Sequence, residues 1–312
     1  MAYRGRGPAR RSYKAAAKRR YAARSKSRRS YGKKRTYAKR PMTKKRIIDV
    51  TSHKKRNGML SWTNTAATTG ASTTLGLGSA TVAGSLAGLF MFCPTAQNLL
   101  QGSSTPNYFI NQAERTSTSC YMRGFAENLR IQTNSHVPWF HRRICFAWRG
   151  SGAFNTISSK DTPTQSWGPF IDTSTGMERV WFNTQVNAMT NTQNAQLDTL
   201  FKGVVNQDWN DIIVAPVDSS RVDIKFDKTW LIKSNNESGT IVQRKLWHPM
   251  NKTLVYDDDE SGEGVQTSYL SVDSKRGMGD YYIYDIIQAG LGATSSDLIN
   301  ISANSTLYWH EK

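Results

Sequence analysis

Three groups of residues in this 312-residue sequence are of types that do chemistry. Asp257-Asp258-Asp259-Glu260, with Glu263 beyond, is the densest acidic run and offers oxygen ligands for a divalent cation. It lacks the fixed spacing of a calcium loop, so it reads instead as a solvated loop tip or a contact for a neighbour's basic surface. Cys120, His136, His141 and Cys145 fall within 26 residues and are zinc-ligand types, yet no Cys-x-x-Cys or His-x-x-x-His pair occurs among them. His141 stands among Trp139, Phe140, Arg142 and Arg143, which reads as the start of a strand with basic edges. No Gly-x-Ser-x-Gly, helical His-Glu pair or Gly-rich phosphate loop is present. Gly76-Leu77-Gly78 lacks the rest of a nucleotide fingerprint. The expectation is a protein without catalytic site, metal or cofactor.

The third group is much larger. Between Met1 and Arg56 the sequence carries 23 basic residues against one acid, Asp49, a balance of +22. They are Arg4, Arg6, Arg10, Arg11, Lys14, Lys18, Arg19, Arg20, Arg24, Lys26, Arg28, Arg29, Lys33, Lys34, Arg35, Lys39, Arg40, Lys44, Lys45, Arg46, Lys54, Lys55 and Arg56. Tyr13, Tyr21, Tyr31 and Tyr37 punctuate the clusters, after an earlier Tyr3, and Arg-Arg-Ser-Tyr occurs twice, at 10–13 and 28–31. Lys and Arg neutralise phosphates while aromatic rings stack on bases, and neither contact needs a particular base sequence. These 23 cations and four tyrosines are therefore the candidate nucleic-acid-binding residues. The same clusters have the composition of a nuclear-import signal.

Such a segment has almost nothing apolar to bury and repels itself, which predicts a disordered arm over 1–56. From Asn57 to Lys312 the balance is 19 basic to 22 acidic residues, a net of −3, in a body long enough for one large core. Three scattered cysteines are no disulfide framework, and the basic start lacks the apolar core of a signal peptide, so a reduced, intracellular protein is expected. The mostly apolar run Val82 to Cys93 is too short to span a bilayer, and no membrane partner is expected.

The pattern of the body is that of strands: short apolar recurrences, rich in β-branched and aromatic residues, between turn formers. After a first strand near Met59–Trp62, candidates are 121–133, 142–149, 177–184, 211–215, 221–232, 239–246, 268–272, 281–287 and 305–309. In 221–226 the alternation sets Val222, Ile224 and Phe226 against Arg221, Asp223 and Lys225. One short helix is predicted from Leu197, Leu200, Phe201 and Val204 at i, i+3, i+4 and i+7. Eight or nine strands with connections of unequal length fit an all-β, double-sheet jelly roll better than an up-and-down barrel, other Greek-key sandwiches remaining open.

Three stretches carry a resemblance to a known family: Met42-Thr43-Lys44-Lys45-Arg46-Ile47-Ile48-Asp49-Val50-Thr51-Ser52 running on to Lys54-Lys55-Arg56, then Met59-Leu60-Ser61-Trp62-Thr63-Asn64, and the closing Leu307-Tyr308-Trp309-His310. With the Arg/Tyr-rich arm and Trp139-Phe140-x-Arg142-Arg143, the chain resembles the capsid proteins of the genomoviruses, relatives of the geminiviruses with small circular single-stranded DNA. The likeness runs over nearly the whole length through the order of short motifs; residues 150–300 match in texture only. The resemblance implies a single eight-stranded viral jelly roll over 57–312, about 60 copies of which form a small (T=1) icosahedral shell. It places the basic arm inside against the single-stranded DNA genome, gives host nuclear-import receptors as further partners, and locates the protein in the virion and the host nucleus. The alternatives from other classes are a chromatin-like or ribosomal nucleic-acid-binding protein and a nucleic-acid enzyme using the acidic run.

Overall fold

The structure, a computed structural model, describes residues 42–102, 105–150 and 152–312. In chain order the elements are α1 (Lys44–Thr51), β1 (His53–Met59), β2 (Ser61–Thr65), β3 (Ser72–Leu77), β4 (Ala80–Ala83), β5 (Gly88–Phe92), β6 (Leu100–Gln101), β7 (Thr105–Pro106), β8 (Ser119–Thr133), β9 (Trp139–Trp148), β10 (Ile171–Thr173), β11 (Gly176–Trp181), α2 (Thr190–Leu200), β12 (Asp223–Ile232), β13 (Ile241–Val255), β14 (Asp259–Ser261), β15 (Gly264–Gln266), β16 (Asp280–Ala289) and β17 (Leu298–Glu311).

Two antiparallel sheets form an all-β sandwich. The first has the order β1-β17-β8-β13, with β4 also pairing β17, and the second has the order β12-β9-β16-β5. Pairing is nested: β1 with β17, β5 with β16, β8 with β13 and β9 with β12. The inward sides interdigitate. Met122, Phe125, Leu307 and Trp309 of the first sheet share one core with Phe92, Ile144, Phe146 and Tyr284 of the second. A smaller sheet, β10-β11-β2-β3, includes the parallel pair β11–β2. It is tied to the first sheet by Ser61, whose hydroxyl donates to the carbonyl of Ala303 and accepts from its N–H.

The expected arm boundary is corrected. Residues 1–41 lie outside the described residues, but 44–51 is helix and 53–59 is the edge strand of the first sheet. Strand alternation explains how so basic a stretch is accommodated: Lys55, Asn57 and Met59 point inward and are buried, while Lys54, Arg56 and Gly58 point outward. The ordered body thus begins at Lys44, which leaves 17 basic residues and no acid in 1–43, and 25 basic against 23 acidic residues after it.

Most of the expected strands are present, often longer than their apolar cores suggest. Two are not. Residues 211–215 form a turn, and in 268–272 only Ser271 bridges, to Tyr256. The helix lies earlier than its apolar spacing predicts, ending at Leu200 because Phe201 is extended and bridges Val217. Its polar first turn is held by Asp161, which accepts from the N–H groups of Asn191 and Thr192 at 2.9 and 2.7 Å. A cap from a residue so distant in sequence leaves no local signature.

Candidate nucleic-acid interface

The strands β1, β17, β8 and β13 contain two acids, Glu127 and Glu311, and both point inward. Their outward face carries Lys54, Arg56, Arg123, Arg130 and Lys245, together with His310, Trp247 and Tyr308. The register brings these into cross-strand rows. Lys54 lies opposite His310, Arg56 opposite Tyr308, Trp247 and Thr306 opposite Ala126, Lys245 and Asn304 opposite Asn128, and Arg130 between Ser302 and Gln243. Five cations without an intervening acid on one face make a surface of a single sign, suited to a polyanion. On β1's outer flank, Lys54 also reaches Asp49 of α1 at 3.3 Å.

The sequence-predicted binding residues divide sharply. The basic residues from Arg4 to Arg40, with Tyr13, Tyr21, Tyr31 and Tyr37, lie outside the described residues, as does the side chain of Lys45. Lys44 and Arg46 are on exposed α1, and Lys54 and Arg56 lie on the outward face. Lys55 is a correction. Its ammonium is buried, 3.2 Å from Glu311, and donates to the Glu114 carbonyl at 2.8 Å and the Thr116 hydroxyl at 2.9 Å, so it cannot meet a phosphate. Burial alone would raise the Glu311 carboxyl; hydrogen bonds from Thr116 and Trp309, with Lys55 beyond them, hold it below the ordinary range.

Beneath this face the two sheets are joined by a closed box of charges with no side-chain exposure. Arg143 of β9 grips Asp285 of β16 with two parallel hydrogen bonds of 2.7 and 2.9 Å and also binds Glu127 of β8. Arg179 of β11 completes the ring, at 2.8 Å from Glu127 and 2.9 Å from Asp285. Its guanidinium stacks 3.8 Å from the centroid of the Trp181 ring. Two cations and two anions cancel, which offsets the large cost of desolvating each. Burial would raise the Asp285 carboxyl, but Arg143 and His141 hold it strongly down. His141 donates from Nε2 to Asp285 at 2.8 Å and accepts at Nδ1 from Arg244 at 2.9 Å, the arrangement of a neutral imidazole. The sequence does signal one corner: Asp285 interrupts the run Tyr281–Ile287, a charge where every neighbour is apolar or aromatic.

The remaining candidates are structural. The zinc-type residues are not brought together: His141 is in the charge network, Cys120 lies by Glu311, Cys145 by His248, and His136 is exposed. Cys145 Sγ and His248 Nδ1 are 3.7 Å apart, a pairing that could suggest a nucleophile and base. Burial pushes the thiol up to about 12 and the imidazole down to about 4, so both are neutral, the reverse of an activated thiolate. The acidic run is in part a solvated loop tip, with Asp257, Asp259, Glu260 and Glu263 exposed and Glu263 in the turn of a hairpin. Asp258 is buried against Arg115, which donates two hydrogen bonds of 2.6 and 3.0 Å, and Asp259 and Glu260 begin the β14–β15 hairpin. Arg142 and Arg143 are likewise not basic edges but buried. Arg142 binds Asp227 at 3.0 and 2.7 Å and the carbonyls of Ile212 and Ala215, fastening the 201–222 connection to β9. Among the described residues no group of three or more His, Cys, Asp or Glu is placed to hold a metal ion, and no helix is long and apolar enough to cross a membrane.

No protein-family model matches the chain, and no curated protein matches it.

Proposed function

We propose that this protein is a structural capsid protein of the genomovirus type that self-assembles around single-stranded DNA. The observation that supports the reading is the nested antiparallel pairing of eight strands in the two main sheets, first with last and so inward, an order that fits a jelly roll, with β4 added beside β17. The smaller third sheet and short hairpins are insertions between those eight strands. A second observation favours a nucleic-acid cargo: the cationic face belongs to the same sheet whose edge strand β1 is joined through α1 to the basic N-terminal segment in the chain. Assembly into a T=1 shell of about 60 copies would enclose roughly 1,000 positive charges from residues 1–43 alone, enough to offset much of a genome of one to two thousand nucleotides.

Those charges repel one another in a closed volume, so assembly of the full chain requires a polyanion. Full-length protein mixed with circular single-stranded DNA at moderate salt gives closed particles of high 260/280 nm absorbance ratio in sedimentation and electron microscopy. Protein that stays monomeric with DNA across salt and pH refutes the capsid reading and favours a chromatin-like protein. In this proposal the basic segment also engages host import receptors. A large cytoplasmic reporter fused to residues 1–56 then moves to the nucleus, and a reporter that stays behind removes that role.

A further inference from the structure

The outward face of the first sheet is not flat. A groove of about 370 Å3 crosses it, walled by Trp247, Tyr308, His310, Arg123 and Lys54. Its floor is low because two central positions of β8 carry almost no side chain: Gly124 lies opposite Tyr308, and Ala126 opposite Trp247. The Trp247 indole leans over Gly124 so closely that a Cβ there would come within 2.7 Å of the ring and 2.6 Å of the His248 carbonyl oxygen. Trp247 and Tyr308 stand 5.9 Å apart between centroids with their planes at 60°.

Trp247 is 50% exposed and belongs to neither hydrophobic cluster. A large aromatic left open on a cationic face calls for a ligand with a flat apolar surface and negative charge. Lys54, Arg123 and His310 meet in this groove, where, after burial, Arg123 and Lys54 press the His310 imidazole below its ordinary value against the opposing pull of Asp49 beyond Lys54. Arg56 stands across the strand from Tyr308. No acid lines the groove. A second copy of this chain would have to bring an acidic patch to the site, whereas single-stranded nucleic acid supplies both flat faces and charge.

We propose that this groove is a base-stacking subsite for single-stranded nucleic acid, with a base against Trp247 and the flanking phosphates on Lys54, Arg56 and Arg123. It rests on the nucleic-acid reading above and deepens it, giving the ordered body a share of binding that the basic segment alone would otherwise carry.

Residues 1–43 contain no tryptophan, so tryptophan fluorescence reports on the ordered body, and the difference between wild type and Trp247→Leu separates Trp247 from the other eight. Full-length wild-type protein and Trp247→Leu are titrated with oligo(dT) and with an abasic oligomer of equal length and charge. In the wild type oligo(dT) quenches the fluorescence and binds about tenfold more tightly than the abasic strand. In Trp247→Leu that quenching is lost and the preference falls several-fold, while abasic affinity and the melting temperature stay unchanged. Undiminished quenching in the variant, an unchanged preference, or self-association that Trp247→Leu abolishes without altering DNA binding each overturns the subsite. A wild-type protein that binds neither oligomer at low salt overturns the nucleic-acid reading itself. Lys54→Gln with Arg123→Gln weakens both strands equally, which separates phosphate contact from stacking.

Discussion

Three consecutive basic residues, Lys54, Lys55 and Arg56, should respond to substitution in opposite ways. Lys55→Ala leaves the Glu311 carboxylate with side-chain exposure of 1% and no cation beside it. Thr116 and Trp309 still donate to it, but breaking a buried pair by removing one partner costs about 3–5 kcal/mol. That is a large fraction of a domain's total stability of roughly 5–15 kcal/mol. With a urea slope of about 3 kcal/mol per molar, the unfolding midpoint falls by about 1–1.7 M. Lys54→Ala and Arg56→Ala change only the outward face and shift stability by no more than about 0.5 kcal/mol. Under the proposed function their effect is on DNA, where each removed phosphate contact lowers the slope of log affinity against log salt by about 0.7. Urea unfolding followed by fluorescence, with salt titration of oligo(dT) binding on the same three variants, reads both axes. Equal midpoints for Lys55→Ala and Lys54→Ala would refute the inward placement of Lys55 and the register of β1 with it.

The corrected boundary predicts that residues 44–312 fold and assemble without DNA, whereas 57–312, lacking α1, Lys55 and over half of β1, is destabilised; matching melting temperatures for the two would contradict this. Burial raises Asp280 to about 7 despite hydrogen bonds from Ser271, so the folded protein keeps a proton that the unfolded chain releases near pH 3.9. Stability therefore falls as pH rises between those values, by on the order of 4 kcal/mol. Asp280→Asn should remove that part of the slope, and an unchanged difference between urea midpoints at pH 5 and pH 8 counts against it. Asp161→Ala removes the acceptor for the first turn of α2 and should cost about 1 kcal/mol near neutral pH. Desolvation would raise this carboxyl, but the combined hydrogen bonds from Thr192 and Asn191 outweigh it and bring it down to about 2, so its contribution is lost as pH falls from 4 toward 2. A thermal midpoint that moves equally at pH 2 and pH 7 would show that the cap is not the cause.

The all-β character and most strand positions are legible in the sequence because a half-buried strand must alternate, as Val222, Ile224 and Phe226 do against Arg221, Asp223 and Lys225. The positive charge of the first 41 residues, 17 basic residues and no acid, is read directly because charge density is a property of composition and needs no fold. Lys55 marks where this fails. Composition treats it as one of 23 like charges, whereas strand parity turns it inward onto Glu311, a partner from the far end of the chain. Arg143, Arg179, Glu127 and Asp285 are scattered over 159 residues, and only the packing of three sheets against one another brings them into one ring. The Trp247 groove is of the same kind. Its small floor residues and its two rings come from three strands, and hydrogen-bond register, which no local pattern encodes, decides that they lie side by side.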